Sequence, residues 1–258
     1  MSAQVIAFTG QKGGVGKTTS VANLGAALQE AGGRVLLVDL DFGADLTEVS
    51  GVTVGRTIPT ISEVLLGEVS AKEAIIACHE YDLLPASPAF KVAERELDTR
   101  AGRDLVLRRA LRPVLEAYDW ILVDCEGGLR FAAMNGLGAA TAFVAVLHPE
   151  PLALRHVDSL FEVAGDVVDT VNPELGFAGY LPARYNASKG LHAGELAEIV
   201  GRAAEEGAPL LPTIRENIAV AEAQKARQSV LAWKPRSHAA QDYRAVAKAL
   251  IGQVADHG

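Results

Sequence analysis

The feature that most constrains this chain is a glycine-rich turn between an apolar run and a long helical pattern. The apolar run covers residues 5–8, the turn reads Gln-Lys-Gly-Gly-Val-Gly-Lys-Thr-Thr over residues 11–19, and the helical pattern begins near Thr18. Glycines let several backbone N–H groups converge on phosphate oxygens, and the following helix N-terminus adds partial positive charge. A strand, such a turn and a helix together predict a loop that binds the phosphates of a nucleotide.

Two residues of this loop have chemistry suited to defined roles. Lys17 is placed to reach the terminal phosphates, and the hydroxyl of Thr18 is placed to ligate Mg²⁺. The usual pattern has glycine six residues before the lysine, where this chain has Gln11, and it is followed by a second lysine, Lys12. Two lysines in one loop are costly unless an anion lies near them, so Lys12 favours a charged ligand. The alternative is an exposed lysine in a turn.

Carboxylates follow two of the apolar runs. One run ends in Asp39-Leu40-Asp41, and another, residues 120–123, ends in Asp124. Ligands of parallel α/β sheets bind at the carboxyl ends of the strands. Asp41 is therefore a candidate for positioning the attacking water and ligating the metal, Asp39 for assisting the metal shell, and Asp124 for holding Mg²⁺ through water. The alternative for Asp41 is an aspartate that caps a turn.

The string KGGVGKTT over residues 12–19 resembles the deviant Walker A box of the ParA/MinD family of P-loop ATPases, and the resemblance extends from about Val5 to Ile251, closest to the ParA/Soj-type partitioning ATPases. It implies ATP and Mg²⁺ as cofactors. It also implies that Lys12 crosses a dimer interface to the partner's nucleotide, with Lys17 and Asp41 as the other catalytic residues. The predicted nucleotide-binding residues are Gln11, Lys12, Gly13, Gly14, Val15, Gly16, Lys17, Thr18, Thr19, Pro182, Arg184, Pro212 and Thr213, and the predicted metal-binding residues are Thr18, Asp41 and Asp124.

The chain departs from the family's pattern after both acidic motifs. The family usually continues with Pro-Gln after the aspartate that corresponds to Asp41, and this chain has Phe42-Gly43. After Cys125 the family has two prolines, and this chain has Glu126-Gly127. We expect an altered switch loop after Asp41 and a more flexible loop after Cys125. Glu126 comes near the phosphates there, either as a catalytic group or as an exposed one.

The charge distribution bears on nucleic-acid binding. The net charge is −8, from 24 basic and 32 acidic residues, which argues against a protein with positive potential over its whole surface. Residues 201–258 nevertheless hold eight Lys/Arg against six Asp/Glu. This excess indicates either a local basic surface or a solvated helix face. With the resemblance to ParA it predicts non-specific DNA contacts at Lys189, Arg215, Lys225, Arg227, Lys234 and Arg236.

Apolar runs and amphipathic patterns alternate along the chain. Strands are predicted at residues 5–9, 35–39, 82–85, 120–124, 143–147 and 176–181, with a shorter one at 209–211. Helices are predicted at residues 18–31, 61–66, 104–117, 152–171, 191–204 and 239–254, with an irregular loop at 51–60. This alternation predicts an α/β fold with a doubly wound, mostly parallel sheet and helices on both faces. No change in composition marks a boundary, so residues 1–258 are predicted to form a single domain.

The cysteines and histidines give no sign of a metal centre in the sequence. Cys78 and Cys125 lack the spacing of a local cluster and are interpreted as small buried thiols in a reducing cytosol. We interpret His148 as structural. The other histidines show no metal-ligand spacing; they are His79, His156, His192, His238 and His257.

These observations predict an ATP-dependent dimerising switch ATPase of ParA type, cytoplasmic and nucleoid-associated. As an ATP dimer it would bind DNA non-specifically, and a ParB-like partner would stimulate its slow hydrolysis during chromosome or plasmid segregation. A ParA-like ATPase that positions another cargo through an adaptor stays open. So does a MinD-like membrane switch, although residues 254–258 add no basic apolar extension and no stable membrane association is expected. A small-molecule kinase or a cluster-bearing reductase is the enzyme alternative. Because the first strand starts near Met1, no helix-turn-helix precedes it and operator-specific repression is not expected.

Overall fold

A computed structural model describes residues 3–10, 13–55, 57–125 and 130–257. Over these residues seven strands form one sheet with the order β3-β4-β2-β5-β1-β6-β7. All neighbouring strands pair in parallel except β3, which is antiparallel to β4. The strands are β1 Gln4–Thr9, β2 Val35–Leu40, β3 Ile76–Ala77, β4 Asp82–Leu84, β5 Trp120–Cys125, β6 Ala142–Leu147 and β7 Gly176–Pro182.

Helices connect the strands and cover the sheet. Short 3₁₀ turns at Arg103–Leu105 and Arg112–Val114 flank α6. The helices are α1 Lys17–Glu30, α2 Asp45–Val49, α3 Ile61–Leu66, α4 Ala71–Ala74, α5 Phe90–Leu97, α6 Val106–Leu111, α7 Arg130–Ala139, α8 Ala153–Thr170, α9 Gly190–Glu206, α10 Ile218–Lys225, α11 Val230–Trp233 and α12 His238–His257.

Both faces of the sheet are buried, which explains why its strands are nearly continuous apolar runs. Every residue of β2 and β5 is buried. Side chains alternate between two clusters: Phe8 and Leu37 pack with α1 and α12 on one face, whereas Ala7 and Val38 pack with α3 to α8 on the other. The predicted doubly wound α/β class is therefore confirmed.

The predicted strands match the observed ones, with two exceptions. Residues 209–211 form no strand and contribute a single bridge between Leu210 and Tyr180. The two-residue strand β3 was not predicted, since so short an apolar segment carries no period.

The predicted helix over residues 104–117 is broken into two 3₁₀ turns and α6, because Pro113 cannot continue an α-helical hydrogen-bond ladder. Helix α7 was missed because Gly136 and Gly138 weaken its helical pattern. Both glycines are required by packing: a Cβ on Gly136 would lie 2.1 Å from Sγ of Cys125, and one on Gly138 would lie 2.9 Å from the carbonyl oxygen of Asp104.

The last helix packs on the first one and closes that face of the sheet. Its apolar side chains Tyr243, Val246, Ala247 and Leu250 are at most 2% exposed. This part of the helix therefore serves core packing. Among the described residues, no helix has both the length and the apolar character needed to pass through a bilayer.

The pairing of β6 with β7 contains an irregularity that sets the position of the segment after β7. The register shifts between Phe143 and Val144, opposite Gly179. Gly179 has φ +130°, and a Cβ there would lie 2.6 Å from the carbonyl oxygen of Pro209. Only glycine permits this approach, which lets Tyr180 exchange backbone hydrogen bonds with Pro209 and Leu211.

Candidate functional site

The predicted phosphate loop lies between the carboxyl end of β1 and the start of α1. Gly14 and Gly16 have φ of +79° and +96°, a conformation that glycine adopts without strain. A Cβ on Gly13 would meet nothing within 4 Å, so the loop backbone is open on that side. Gln11 and Lys12 lie outside the described residues, and their predicted roles stay predictions. The described part of the loop has the backbone shape expected of a phosphate cradle.

Lys17, at the start of α1, and Asp124, near the end of β5, lie close together at the carboxyl end of the parallel strands. Nζ of Lys17 lies 3.6 Å from Oδ1 of Asp124, and the two side chains are 10% and 0% exposed. Neither carboxylate oxygen of Asp124 makes a hydrogen bond of ordinary geometry among the described residues, although the Lys17 ammonium and the Thr18 hydroxyl lie near enough to stabilise its charge. Burial raises the pKa of Asp124, and the nearby Lys17 ammonium opposes this shift. A buried carboxylate with free acceptor capacity fits the water shell of a magnesium ion, which prefers oxygen ligands and retains its waters.

Asp39 is held differently, although it lies opposite Asp124 in the register of β2 and β5. Its Oδ2 accepts hydrogen bonds from N and Oγ1 of Thr47, at 2.9 and 2.6 Å. Oγ1 of Thr47 in turn accepts from N of Ala86 at 2.9 Å. Burial, with the neighbouring charge of Asp124 second, raises the pKa of Asp39 to about 8. This side chain therefore links β2, α2 and the segment after β4. The sequence had instead suggested that Asp39 assists the metal shell.

Asp41 follows β2 and is half-buried. Its Oδ1 accepts a hydrogen bond from N of Gly43 at 2.8 Å. Its charge adds to the raised pKa of Asp124, which places Lys17, Asp41 and Asp124 in one electrostatic neighbourhood. The departure at Phe42 is accommodated because its ring packs on the core, with Nζ of Lys91 5.2 Å from the ring centroid. Glu126 lies outside the described residues.

A cleft of about 1000 Å³ extends from the phosphate loop along the segments after β7 and before α10. Arg184, with φ +60°, stands at its mouth and donates a hydrogen bond to the carbonyl oxygen of Gly14. Of the four residues predicted beyond the loop, Arg184 lines the cleft. The other three, Pro182, Pro212 and Thr213, are not among the lining residues, which instead include Ala183 and Ile214 to Ile218.

Sequence reasoning also missed Gln224 on α10, which lines the cleft. Its Nε2 donates to Oγ1 of Thr19 at 2.9 Å. The capping residue Asn217, whose side chain accepts from N of Ala219, was the available signal that a helix starts beside the loop.

The six residues predicted to contact DNA fall into two groups. Lys189, Arg215 and Lys234 form ion pairs with Glu216, Asp242 and Glu222 respectively. Lys225, Arg227 and Arg236 are exposed, and no ion pair to them occurs among the described residues. Lys225 and Arg227 also line the cleft, beside Arg215. The basic excess of the C-terminal region is thus partly neutralised.

A second, smaller cavity of about 130 Å³ lies on the other side of the loop. Gly13, Gly14, His148, Glu150 and Arg184 are among the residues that line it. The cavity and the larger cleft share Gly14, Val15 and Arg184. The phosphate loop therefore separates two spaces.

His148 and His192, which are far apart in the sequence, meet beside this cavity. Their ring centroids are 5.0 Å apart and nearly perpendicular. His148 and His192 are 8% and 3% exposed, and Nε2 of His148 lies 3.0 Å from Oε1 of Glu150. Burial lowers the pKa of His148, with Glu150 opposing the shift. Sequence spacing gave no sign of this cluster, because it depends on how β6, β7 and α9 are placed.

The two cysteines do not form a disulfide. Cys125 is fully buried and Cys78 is partly buried. Burial raises the pKa of the Cys125 thiol to about 12 and that of Cys78 to about 11, so both are unreactive at neutral pH.

Comparisons with known proteins agree with this geometry. The family model described as an AAA domain matches residues 3–177. An uncharacterised protein of Mycobacterium tuberculosis is 37% identical over 254 residues, covering 96% of this chain and 79% of that protein. The sporulation initiation inhibitor protein Soj of Bacillus subtilis is 31% identical, covering 95% of this chain and 97% of Soj. A crystal structure of cobyrinic acid a,c-diamide synthase from Mycobacterium smegmatis, with bound ATP analogue and magnesium, has TM-score 0.86 and 34% identity, covering 99% of this chain and 97% of that one.

Proposed function

Because the chain belongs to the ParA/MinD family of P-loop ATPases, we propose that it is a switch ATPase of the ParA type that dimerises on ATP. The observation that carries this proposal is the buried Lys17–Asp124 pair, with its unsatisfied carboxylate, next to Asp41 at the open end of the phosphate loop. Such an edge has the groups that phosphoryl transfer to water requires: a cation for the phosphates, a carboxylate for the metal shell and a carboxylate for the water.

Each residue at this edge has a task in the proposed hydrolysis. The loop amides and Lys17 would hold the β- and γ-phosphates, and Thr18, Asp41 and Asp124 would hold the metal, the last through water. Magnesium, when bound, neutralises charge on the phosphates. Asp41 orients the attacking water. Lys12 reaches the nucleotide of the second subunit, so hydrolysis weakens the dimer.

The choice of ATP and Mg²⁺ is supported by relatives. The Mycobacterium smegmatis protein has been crystallised with an ATP analogue and magnesium, and also with ADP and magnesium. The cleft of about 1000 Å³ continues from the loop and has room for a base and a ribose, and Arg184 lines it while bonding to Gly14 of the loop.

Segregation of DNA is the proposed use of the switch. Soj and the chromosome partitioning proteins ParA of Myxococcus xanthus and Caulobacter vibrioides are similar along nearly the whole chain. Of the six predicted residues, Lys225, Arg227 and Arg236 are exposed without an ion pair among the described residues and can contact phosphates, and such contacts weaken steeply with salt. Lys189, Arg215 and Lys234 join them only when their ion pairs exchange for phosphates. A ParB-like partner would stimulate hydrolysis, with the protein on the nucleoid in the cytoplasm.

A second candidate is an ATP-dependent synthase acting on a small molecule. It is favoured by the name of the Mycobacterium smegmatis structure and by the second cavity beside the loop. A partner-independent turnover that requires a small carboxylic acid would support it. A positioning ATPase for another cargo differs from the main proposal only in its adaptor.

The test is a measurement of turnover and assembly on one preparation. We expect slow hydrolysis of ATP, a dimer by light scattering with ATP and a monomer with ADP, and retention of DNA only with ATP at low salt. Turnover should rise when DNA and the product of the neighbouring gene are added together. A monomer in both nucleotide states would contradict the switch. A nucleotide-dependent dimer that never retains DNA would contradict the role in DNA segregation. It would favour a positioning ATPase for another cargo.

Lys225→Ala combined with Arg227→Ala should weaken DNA retention and reduce its salt dependence, because two phosphate contacts are removed. Lys72→Ala, an exposed lysine on α4, is the matched control and should retain DNA like the parent protein.

A further inference from the structure

We propose that His148, Glu150 and His192 form a binding site for a divalent transition-metal ion of the zinc class, separate from the proposed magnesium site at Lys17 and Asp124. One ligand atom from each of the three side chains lies within 4.8 Å of the other two. The cluster has two imidazoles and one carboxylate, a donor set that suits zinc and its neighbours rather than magnesium.

The hydrogen bond on the far side of His148 orients the ring for such a role. Its Nδ1 lies 3.3 Å from the carbonyl oxygen of Ala183. A carbonyl oxygen can only accept, so Nδ1 carries the proton and Nε2 of the neutral ring presents a lone pair. An outer hydrogen bond of this type fixes the tautomer of histidines that bind metals.

The lone pair of Nε2 points to another acceptor. Oε1 of Glu150 lies 3.0 Å away, and two acceptors at this distance require a cation between them, either a proton or a metal ion. Two ligand atoms bound to zinc at about 2.0–2.2 Å in tetrahedral geometry lie about 3.3–3.5 Å apart. His148 and Glu150 therefore need only a small outward shift to share one ion.

His192 supplies the third ligand from the first turn of α9. It is 3% exposed, and its Nδ1 accepts a hydrogen bond from N of Asn186 at 3.2 Å. Metal binding through either ring nitrogen would break this hydrogen bond. It would also bring the ligand nitrogen of His192 about 1 Å nearer to the ligand atoms of His148 and Glu150. The ion would then tie the turn after β6, which carries His148 and Glu150, to the start of α9.

The fourth coordination position would face the smaller cavity. His148 and Glu150 line that cavity together with Gly13, Gly14 and Arg184. A site with three protein ligands and one position directed at a cavity can hold water or an anionic group there.

The test is a titration of untagged, chelator-stripped and nucleotide-free protein with Co²⁺, with magnesium in large excess. We expect visible d–d absorption that saturates at one Co²⁺ per chain and is reversed by Zn²⁺. Zn²⁺ should also raise the melting temperature of the wild-type chain by a few degrees, since it binds only the folded state.

Variants decide whether this cluster is the site. His192→Ala and Glu150→Gln should each weaken Co²⁺ binding at least about tenfold and abolish the melting shift with Zn²⁺. His79→Ala removes an exposed histidine in the turn before β4 and should leave the affinity unchanged. If His192→Ala fails to fold, Glu150→Gln gives the result, because it changes only the end of a side chain that is 39% exposed.

The absence of saturable d–d absorption in the wild type would overturn the proposal. So would a Co²⁺ affinity that is equal in the wild type and Glu150→Gln. The titration needs neither ATP nor turnover, so its result is independent of the proposed switch.

Discussion

The two sides of the phosphate loop balance their polar groups in different ways. On the side of β2 and β5, the buried Asp124 pairs with Lys17 and lies near Asp41, whereas Asp39 is held by Thr47. On the side of β6 and α9, His148 and His192 each have a backbone partner, and His148 also faces Glu150.

The difference concerns what each side needs from a ligand. The first side places the carboxyl groups of Asp41 and Asp124 beside a single buried ammonium group, Lys17, so a bound cation would relieve the repulsion between them. On the second side each histidine already has a backbone partner, and only the His148–Glu150 pair calls for a cation, either a proton or a metal ion. We therefore expect substitutions on the first side to have the larger effects.

The largest effect is expected for Lys17→Ala. The variant should bind ATP at least about 100-fold more weakly, because hydrogen bonds to charged groups contribute about 1.5–3 kcal/mol each and Lys17 is placed to make several. Titration with a fluorescent ATP analogue measures this. Lys72→Ala, on an exposed helix, is the control and should bind normally. Equal affinities would remove Lys17 from the phosphate site.

Asp41→Ala should leave ATP affinity nearly intact and slow hydrolysis by about 100-fold, the usual contribution of a positioned acid–base group. The ATP dimer should then persist in light scattering. Asp41→Asn retains an acceptor for N of Gly43 and separates loop geometry from charge. Asp169→Ala, which removes an exposed carboxylate on α8 away from the cleft, is the control. Unchanged turnover in Asp41→Ala would contradict its role.

Thr47→Val should lower the free energy of unfolding by about 2–4 kcal/mol. It removes the donor to Asp39 and the acceptor for N of Ala86, and each unsatisfied buried group costs about 1–3 kcal/mol. Urea unfolding measures the change. Thr170→Val, where the hydroxyl is exposed, should change stability by less than about 0.5 kcal/mol. A similar result for both variants would show that Asp39 does not depend on Thr47.

The pH dependence of stability should show the raised pKa of Asp39. The folded chain holds this proton up to a pH of about 8, whereas the unfolded chain releases it near its ordinary value of 3.8. The contribution is therefore fully present below about pH 4 and is lost as the pH rises toward 8. Urea unfolding without magnesium should give a decreasing free energy of unfolding over this range. Asp39→Asn should flatten the slope, and equal slopes would contradict the assignment.

The smallest effect is expected on the other side of the loop. Glu150→Gln should change the free energy of unfolding by less than about 1 kcal/mol without added metal, because its pair with His148 is partly exposed. Chemical denaturation in the presence of a chelator measures it. A loss of stability comparable with that of Thr47→Val would mean that the two sides of the loop contribute equally to stability, and it would contradict the difference proposed between them.

The site around Lys17, Asp41 and Asp124 could be predicted from the sequence because each residue belongs to a short local motif. Each of Lys17, Asp41 and Asp124 lies at the end of a strand or at the start of the helix that follows one, and parallel pairing brings the ends of β1, β2 and β5 together. The cleft beyond the loop could be predicted only in part. Its wall is one residue away from the predicted Pro182 and Thr213, at Ala183 and Ile214, since a resemblance in sequence does not give the direction of a side chain.

The histidine cluster and helix α7 could not be predicted for a different reason. His148 and His192 meet through the placement of two helices and a sheet edge, which no local period records. In α7, Gly136 is selected by its contact with Cys125 rather than by helix propensity. In both places the deciding contact joins residues that are distant in the chain.

The close approach of Gly179 to Pro209 should also constrain relatives of this chain. Any larger residue there would push the neighbouring segment at Pro209 away and tilt the strand that leads to Arg184. A homologue with an intact KGGVGKTT string but a bulky residue at the aligned position should thus have a cleft of different shape beyond the loop. The residue at this one position would therefore distinguish, by the shape of the cleft, chains that share the same phosphate-loop string.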